Sequence, residues 1–195
     1  MPDINVISIS PSQLSGSGEA GLYDVSRFQK KYLAQGDSWF SIGTIPPWST
    51  TNLLQQMVLS RPTLAVNCAR PGVELTHMTD TSTARVFLNL LNGNIAWKWD
   101  GLLMSGGGND LIDAANTSPN ATPDKRLLLK PGEWGNDATP SRYLSDAGWT
   151  TFASHMRDVV DLLLAQRDKK AINRGVPVFF HTYDYVTPRD APAGR

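Results

Sequence analysis

The chain has 195 residues, enough for one domain with a sizeable core, and its 18 Lys and Arg residues balance 18 Asp and Glu residues. This balance, without any block of basic residues, excludes the charge pattern of a nucleic-acid-binding protein. The single cysteine, Cys68, excludes an internal disulfide and a cysteine-based metal site, and we expect it to be an inert core thiol.

Residues 1–28 mix Ser, Gly and Pro with little periodicity, so we expect an irregular N-terminal leader before a domain at 29–195. The first thirteen residues lack the basic start and apolar run of a signal peptide. No apolar run is long enough to span a membrane. We therefore expect a protein without a membrane span that is cytoplasmic as given, and the sequence leaves its compartment unknown.

Four apolar segments predict strands, at residues 32–35, at 63–68, within 95–105 and at 176–183. Helices are predicted between them at 52–59, from about 73–75 to 91, and from Ser145 or Asp146 to about 164. This alternation predicts an α/β protein, with a parallel sheet covered on both faces and the loops that follow the strands on one edge. The long loop at 117–142, rich in Pro and Gly, is interpreted as a lid or as a plain insertion.

The first strand runs directly into Gly36, Asp37 and Ser38. Gly36 permits a sharp turn, and the Asp37 carboxylate can accept hydrogen bonds from nearby backbone N–H groups. Ser38 then follows the end of a strand, where open α/β sheets bind their ligands. This tripeptide alone leaves two interpretations open, a nucleophilic serine and an ordinary turn serine.

Gly72 and Asn109 follow the second and third predicted strands, so we expect both to meet Ser38 at the same edge of the sheet. A serine that attacks an ester needs donors aimed at the developing oxyanion. The backbone N–H groups of Ser38 and Gly72 and the side-chain amide of Asn109 are the candidates. The three glycines at 106–108 could instead cradle a phosphate, although the sequence spells neither a P-loop nor a dinucleotide-binding motif.

These motifs resemble the conserved blocks of the SGNH, or GDSL-type, serine hydrolases. Gly-Asp-Ser-Trp at 36–39 is similar to block I, Gly72 to the block II glycine, and Gly-Gly-Asn-Asp at 107–110 to block III. The resemblance implies a flavodoxin-like three-layer α/β/α sandwich that hydrolyses small-molecule carboxylic esters, acyl or acetylated carbohydrates among them, with neither metal nor cofactor. It also implies that Ser38 forms an acyl-enzyme and that Gly72 and Asn109 belong to the oxyanion hole.

The chain departs from this family because it contains no Asp-x-x-His, the block that supplies the general base and its carboxylate. We expect that block beyond Arg195, together with the family's fifth, edge strand. The edge of the fourth strand would then associate with another chain or be covered by the chain's own tail. We interpret His77, His155 and His181 as structural rather than catalytic.

Three further interpretations stay open at this stage. The domain could keep the fold and cleft as a non-catalytic binding or scaffold domain, or it could be an O-acyltransferase that uses the same residues. Asp37 and Asp110 could form a pair of catalytic carboxylates, but we expect both to bond loop backbone instead.

Overall fold

The fold is given by a computed structural model, which describes residues 4–14, 25–41, 52–136 and 138–181. Its strands are β1 (Ile4–Asn5), β2 (Ile7–Ile9), β3 (Lys30–Gly36), β4 (Val58–Leu59), β5 (Thr63–Asn67), β6 (Gly101–Ser105) and β7 (Val178–Phe180). Its α-helices are α1 (Pro11–Leu14), α2 (Ser38–Ser41), α3 (Leu53–Gln56), α4 (Arg85–Asn92), α5 (Gly108–Ala115) and α6 (Asp146–Asp168).

The central sheet contains five parallel strands in the order β2-β5-β3-β6-β7. The four strands predicted from the sequence are all present, and they occupy the order second, first, third, fourth. This order, with helices between the strands, makes the protein an α/β protein with a flavodoxin-like layered fold. The carboxyl ends of all five strands share one edge of the sheet.

The leader departs from the irregular structure expected for residues 1–28, because Ile7–Ile9 adds a fifth strand beside β5. Ile7 aligns with Leu64 and Ile9 with Val66, and Ile9 is almost fully buried. A separate antiparallel pair joins β1 to β4, so the helix predicted at 52–59 ends at Gln56. Residues 58–59, which the local pattern assigns to a helix, thus form a strand because they pair with the leader.

Two apolar clusters lie on opposite faces of the sheet, as the alternation of side chains along its strands requires. On one face, Leu33, Leu64 and Leu102 belong to the larger cluster together with residues of α4 and α6. On the other face, Ala34 and Leu103 pack with residues of α2 and α3. The sheet is therefore the middle of three layers.

The helix predicted from about 73–75 to 91 is interrupted. A 3₁₀ turn at Leu75–Met78 comes first, and α4 begins only at Arg85. Between them, the Asp80 carboxylate accepts hydrogen bonds from the N–H and hydroxyl of Ser82, and this local turn competes with helix. The long helix α6 begins as predicted, with the Ser145 hydroxyl accepting the N–H of Gly148.

The long loop at 117–142 contains short 3₁₀ turns and is fixed to the body of the domain. Arg126, which is buried, donates to the Glu133 carboxylate through two guanidinium nitrogens, both at 2.9 Å. Ser145 donates to the carbonyl of Pro123 and so ties the loop to the start of α6. Within the described residues, no helix is both long and apolar enough to cross a membrane.

Candidate active site

Ser38 lies in a strand–turn–helix elbow, where β3 ends at Gly36 and α2 begins at Ser38 itself. Asp37, between them, is almost fully buried, and its Oδ1 accepts hydrogen bonds from the Trp39 N–H at 3.1 Å and the Ser105 hydroxyl at 3.0 Å. A Cβ on Gly36 would lie 2.9 Å from the Cβ of Ser105. The absence of a side chain at Gly36 therefore lets the elbow pack against the end of β6.

The Ser38 side chain is half-buried at the carboxyl edge of the sheet. Among the described residues, its Oγ has no hydrogen-bond partner, so no base contacts it there. Trp39, the next residue, is 45% exposed, and its ring lies 5.6 Å from the ring of His181. The serine is therefore open to solvent on a rigid turn.

Gly72 is exposed and has a φ of 71°, in the left-handed region that favours glycine. Its loop follows β5 and is bonded to the elbow, because the Arg70 N–H donates to the Gly36 carbonyl at 2.9 Å. The Cys68 N–H donates to the Ala34 carbonyl at 2.8 Å. The structure therefore places the Gly72 loop directly beside the end of the strand that carries Ser38.

Asn109 is the second residue of α5, and its Nδ2 donates to the carbonyl of Val73 at 3.1 Å. Asp110, buried next to it, accepts the backbone N–H of Leu75 at 2.8 Å. The turn into α5 depends on Gly107, whose φ is 99°. Asn109 and Asp110 thus connect the loop after β6 to the loop that contains Gly72.

The three sequence-predicted oxyanion donors share one chemical property. In the part of the chain that the structure describes, the backbone N–H groups of Ser38 and Gly72 have no hydrogen-bond acceptor. Asn109 uses one amide hydrogen on Val73, and its second amide hydrogen has no acceptor among the same residues. Each of the three can therefore donate to a ligand at this edge of the sheet.

The two aspartates have the structural roles expected from the sequence. Asp37 and Asp110 both accept backbone N–H groups of the site loops, and this use of their carboxylates speaks against an acid–base pair. Asp110 also lies in the first turn of α5. The helix dipole at this N-terminus already stabilises the negative charge of Asp110. This charge would repel a phosphate, which disfavours the alternative of a phosphate cradle at Gly106–Gly108.

His181 is closer to the elbow than the sequence predicts. Its backbone N–H donates to the Met104 carbonyl at 2.7 Å, and its Nδ1 lies 3.4 Å from the hydroxyl oxygen of Ser105. Because Ser105 also donates to Asp37, a chain of hydrogen bonds runs from Asp37 through Ser105 to His181 at the carboxyl edge of the sheet. Ser105 and this chain were missed by sequence reasoning, since Ser105 is merely the last residue of an apolar strand.

The other two histidines lie away from the elbow. His155 is exposed on α6 and has its Nε2 3.1 Å from the Thr76 hydroxyl. His77 is exposed, with its Nδ1 3.6 Å from the Glu74 carboxylate. No hydrogen bond joins either of them to Ser38 within the described residues.

Neither a reactive cysteine nor a metal site is indicated among the residues that the structure describes. Burial raises the pKa of the Cys68 thiol to about 12, so it carries little thiolate at neutral pH. No group of three or more His, Cys, Asp or Glu side chains in these residues is arranged to hold a metal ion.

The fold and the elbow together define a flavodoxin-like α/β protein with a serine at the carboxyl edge of its sheet. No protein-family model matches the chain, and a comparison with curated proteins found no match.

Proposed function

We propose that the chain is an SGNH-type serine hydrolase that cleaves carboxylic esters through an acyl-enzyme on Ser38. The observation that carries this proposal is that all three proposed donors, on the loops that follow β3, β5 and β6 at one edge of the sheet, have a hydrogen available. The N–H groups of Ser38 and Gly72 and one amide hydrogen of Asn109 have no acceptor among the described residues. An oxyanion hole needs such donors, held in place before the substrate arrives.

The proposed reaction has two steps. Ser38 Oγ attacks the ester carbonyl carbon and gives its proton to a general base, while the three donors bind the carbonyl oxygen as it becomes negative. The bond to the alcohol then breaks, and the base returns the proton to the leaving oxygen. Water attacks the acyl group on Ser38 in the second step, which releases the acid and restores the serine hydroxyl.

We propose that a histidine of an Asp-x-x-His block beyond Arg195 is the general base. Ser38 Oγ has no side-chain partner within the described residues, and the sequence contains no Asp-x-x-His. His181 is the internal alternative, because its ring lies 5.6 Å from the Trp39 ring at a tilt of 50° and its Nδ1 lies 3.4 Å from the Ser105 hydroxyl oxygen. We favour the external histidine because Ser105 hydrogen-bonds with Asp37 and so places a hydroxyl, not a carboxylate, against the imidazole.

Two other functions use the same architecture. A non-catalytic binding or scaffold domain is consistent with a Ser38 hydroxyl that lacks a described base, and its ligand binding would be unchanged by Ser38→Ala. An O-acyltransferase would differ only in passing the acyl group to an alcohol, so product analysis with a sugar acceptor separates it from a hydrolase.

Labelling by an organophosphonate tests the identity of the nucleophile. We expect a fluorescent phosphonate to modify Ser38 in a longer chain that includes the proposed Asp-x-x-His block. Peptide mass spectrometry locates the adduct. Ser38→Ala should abolish labelling, whereas Ser41→Ala, on the same short helix, should retain it. Labelling that persists in Ser38→Ala would refute the proposed nucleophile.

A further inference from the structure

Two adjoining cavities open at the carboxyl edge of the sheet, on the side of β3 that faces α4. Their volumes are about 350 Å³ and about 250 Å³, and both are lined by Gln35, Arg70 and Thr83. The smaller cavity also includes Gly72, one of the three proposed oxyanion donors. The cavities therefore extend from the proposed catalytic edge toward α4.

The larger cavity ends at the amino terminus of α4. Val86 and Phe87, in the first turn of this eight-residue helix, line it. Ala84, at the N-cap position, provides no side-chain hydrogen bond to the first turn. The first N–H groups of the helix and its dipole consequently favour a negatively charged group in this cavity.

Gln35 supplies an independent hydrogen-bond donor in the same place. It is only 6% exposed, and its Oε1 accepts the Gly36 N–H at 3.3 Å. Its Nε2 has no acceptor among the described residues, although the side chain lines both cavities. This amide therefore has a hydrogen available for a ligand in the cavity that presents an oxygen acceptor.

Arg70 adds a full positive charge. Its guanidinium is exposed, lines both cavities and forms no ion pair within the described part of the chain.

Two carboxylates on the neighbouring loop have partners of their own. Glu74 lines the smaller cavity beside His77 and shares a hydrogen bond with Asp113 that raises its pKa. Asp80 lines neither cavity and is bonded to Ser82.

The donors and the charge around the larger cavity favour an anion over a neutral ligand, and they favour the larger cavity over the smaller. The larger cavity combines the terminus of α4, the Gln35 amide and the Arg70 guanidinium without a carboxylate among its lining residues. A planar guanidinium can donate two hydrogen bonds to one carboxylate or phosphate group.

We propose that this cavity binds an anionic oxygen group, a carboxylate or a phosphate, carried by the ester substrate. Arg70, Gln35 and the first turn of α4 hold the group while the ester carbonyl lies at Gly72. The assignment to a substrate rests on the proposed hydrolase function. The binding of an anion does not, since it depends only on the cavity.

Titration calorimetry or ³¹P NMR, used to measure binding of inorganic phosphate to the whole protein, tests whether the cavity binds an anion. We expect Arg70→Ala to weaken phosphate binding by about tenfold or more, as for the loss of a charge-assisted hydrogen bond. Gln35→Leu, which keeps the buried volume, should also weaken it, whereas Arg61→Ala, at the opposite end of β5, should not. Circular dichroism of each variant establishes that it is folded.

Hydrolysis of two p-nitrophenyl esters, a hemisuccinate and a butyrate, by the longer chain that includes the proposed Asp-x-x-His block identifies the source of the anion. If the substrate carries it, kcat/KM for the hemisuccinate relative to the butyrate should fall about tenfold in Arg70→Ala, and excess phosphate should lower the same ratio. Phosphate binding at the cavity without any preference for the hemisuccinate would overturn the assignment to the substrate and indicate a free anion.

Absence of phosphate binding, or binding that Arg70→Ala and Gln35→Leu leave unchanged, would overturn the proposal whatever the esterase result. By contrast, Arg70-dependent phosphate binding in a longer chain that hydrolyses neither ester through Ser38 would support the anion site and count against the hydrolase.

Discussion

The carboxylate of Asp110 accepts a hydrogen bond from the backbone N–H of Leu75, with 2.8 Å between Oδ2 and the nitrogen. This bond connects the start of α5 to the loop after β5, and the adjacent Asn109 makes a second connection to Val73. Two of the proposed oxyanion donors are therefore held in register by a buried carboxylate that takes no part in the proposed reaction.

Replacing Asp110 by Ala should loosen the Gly72 loop. We expect a loss of about 1.5–3 kcal/mol in the free energy of unfolding, because a charge-assisted hydrogen bond disappears and leaves the Leu75 N–H unpaired. Urea denaturation measures the loss, and hydrogen exchange should show faster exchange in the loop after β5. Asp158→Ala, on the exposed face of α6, is the control, and equal stability of the two variants would contradict the structural role.

The Arg126–Glu133 pair should make stability depend on pH. Hydrogen bonds from Arg126 and from the backbone of Lys130 lower the pKa of Glu133 from 4.5 to about 2. Since the folded pKa lies below the unfolded one, the stabilisation is complete above about 4.5 and is lost as the pH falls toward about 2. The difference in melting temperature between wild type and Glu133→Gln should therefore shrink over that range. A difference independent of pH would contradict this.

Cys68 should react slowly in the folded protein. Burial raises the pKa of its thiol from 9.0 to about 12, so the thiolate population at mildly alkaline pH falls on the order of 10³-fold. Iodoacetamide should label the native protein much more slowly than the urea-unfolded protein. Arg70→Ala should slow native labelling further, because the charge of Arg70 lowers this pKa. Equal rates for native and unfolded protein would contradict the raised pKa of the thiol.

Association through the outer edge of β7 remains a prediction. This strand pairs with β6, and no other described strand pairs with it, while Phe179 and Phe180 are 52% and 37% exposed. We expect sedimentation to show concentration-dependent association that Phe180→Lys weakens, because a charge on an edge strand opposes pairing. Leu162→Lys, an exposed apolar position on α6, should leave association unchanged. A protein that stays monomeric at every concentration would contradict association and leave the second expectation, that the chain's own tail covers this edge.

The sequence predicts the parts of this fold that depend on local pattern. The elbow at Ser38, the turn at Gly72 and the helix start at Ser145 each follow from residue types whose backbone preferences act over a few residues. Strand β2 could not be predicted in the same way, because Ile7–Ile9 is short and becomes a strand by pairing with β5. Pairing at the edge of a sheet depends on distant residues.

In the candidate site too, some residues follow from local sequence pattern and others depend on contacts between distant residues. Ser38, Gly72 and Asn109 can be proposed from the sequence because each follows an apolar strand, and parallel strands bring such positions to one edge. The chain from Asp37 through Ser105 to His181 joins residues 68 and 76 positions apart, so no local pattern reveals it. Gln35 was missed because one polar residue in a buried strand is informative only once its unpaired amide is seen beside a cavity.

Hydrolysis of a short-chain p-nitrophenyl ester tests the central claim most directly, comparing this chain with a longer chain that includes the proposed Asp-x-x-His block beyond Arg195. Variants Ser38→Ala and Asn109→Ala of the longer chain complete the set. We predict that the longer chain is active, that Ser38→Ala abolishes turnover, and that Asn109→Ala lowers kcat by about 10²–10³-fold. Turnover by the longer chain that survives Ser38→Ala would contradict the account, whereas Ser38-dependent turnover by the 195-residue chain alone would move the base to His181.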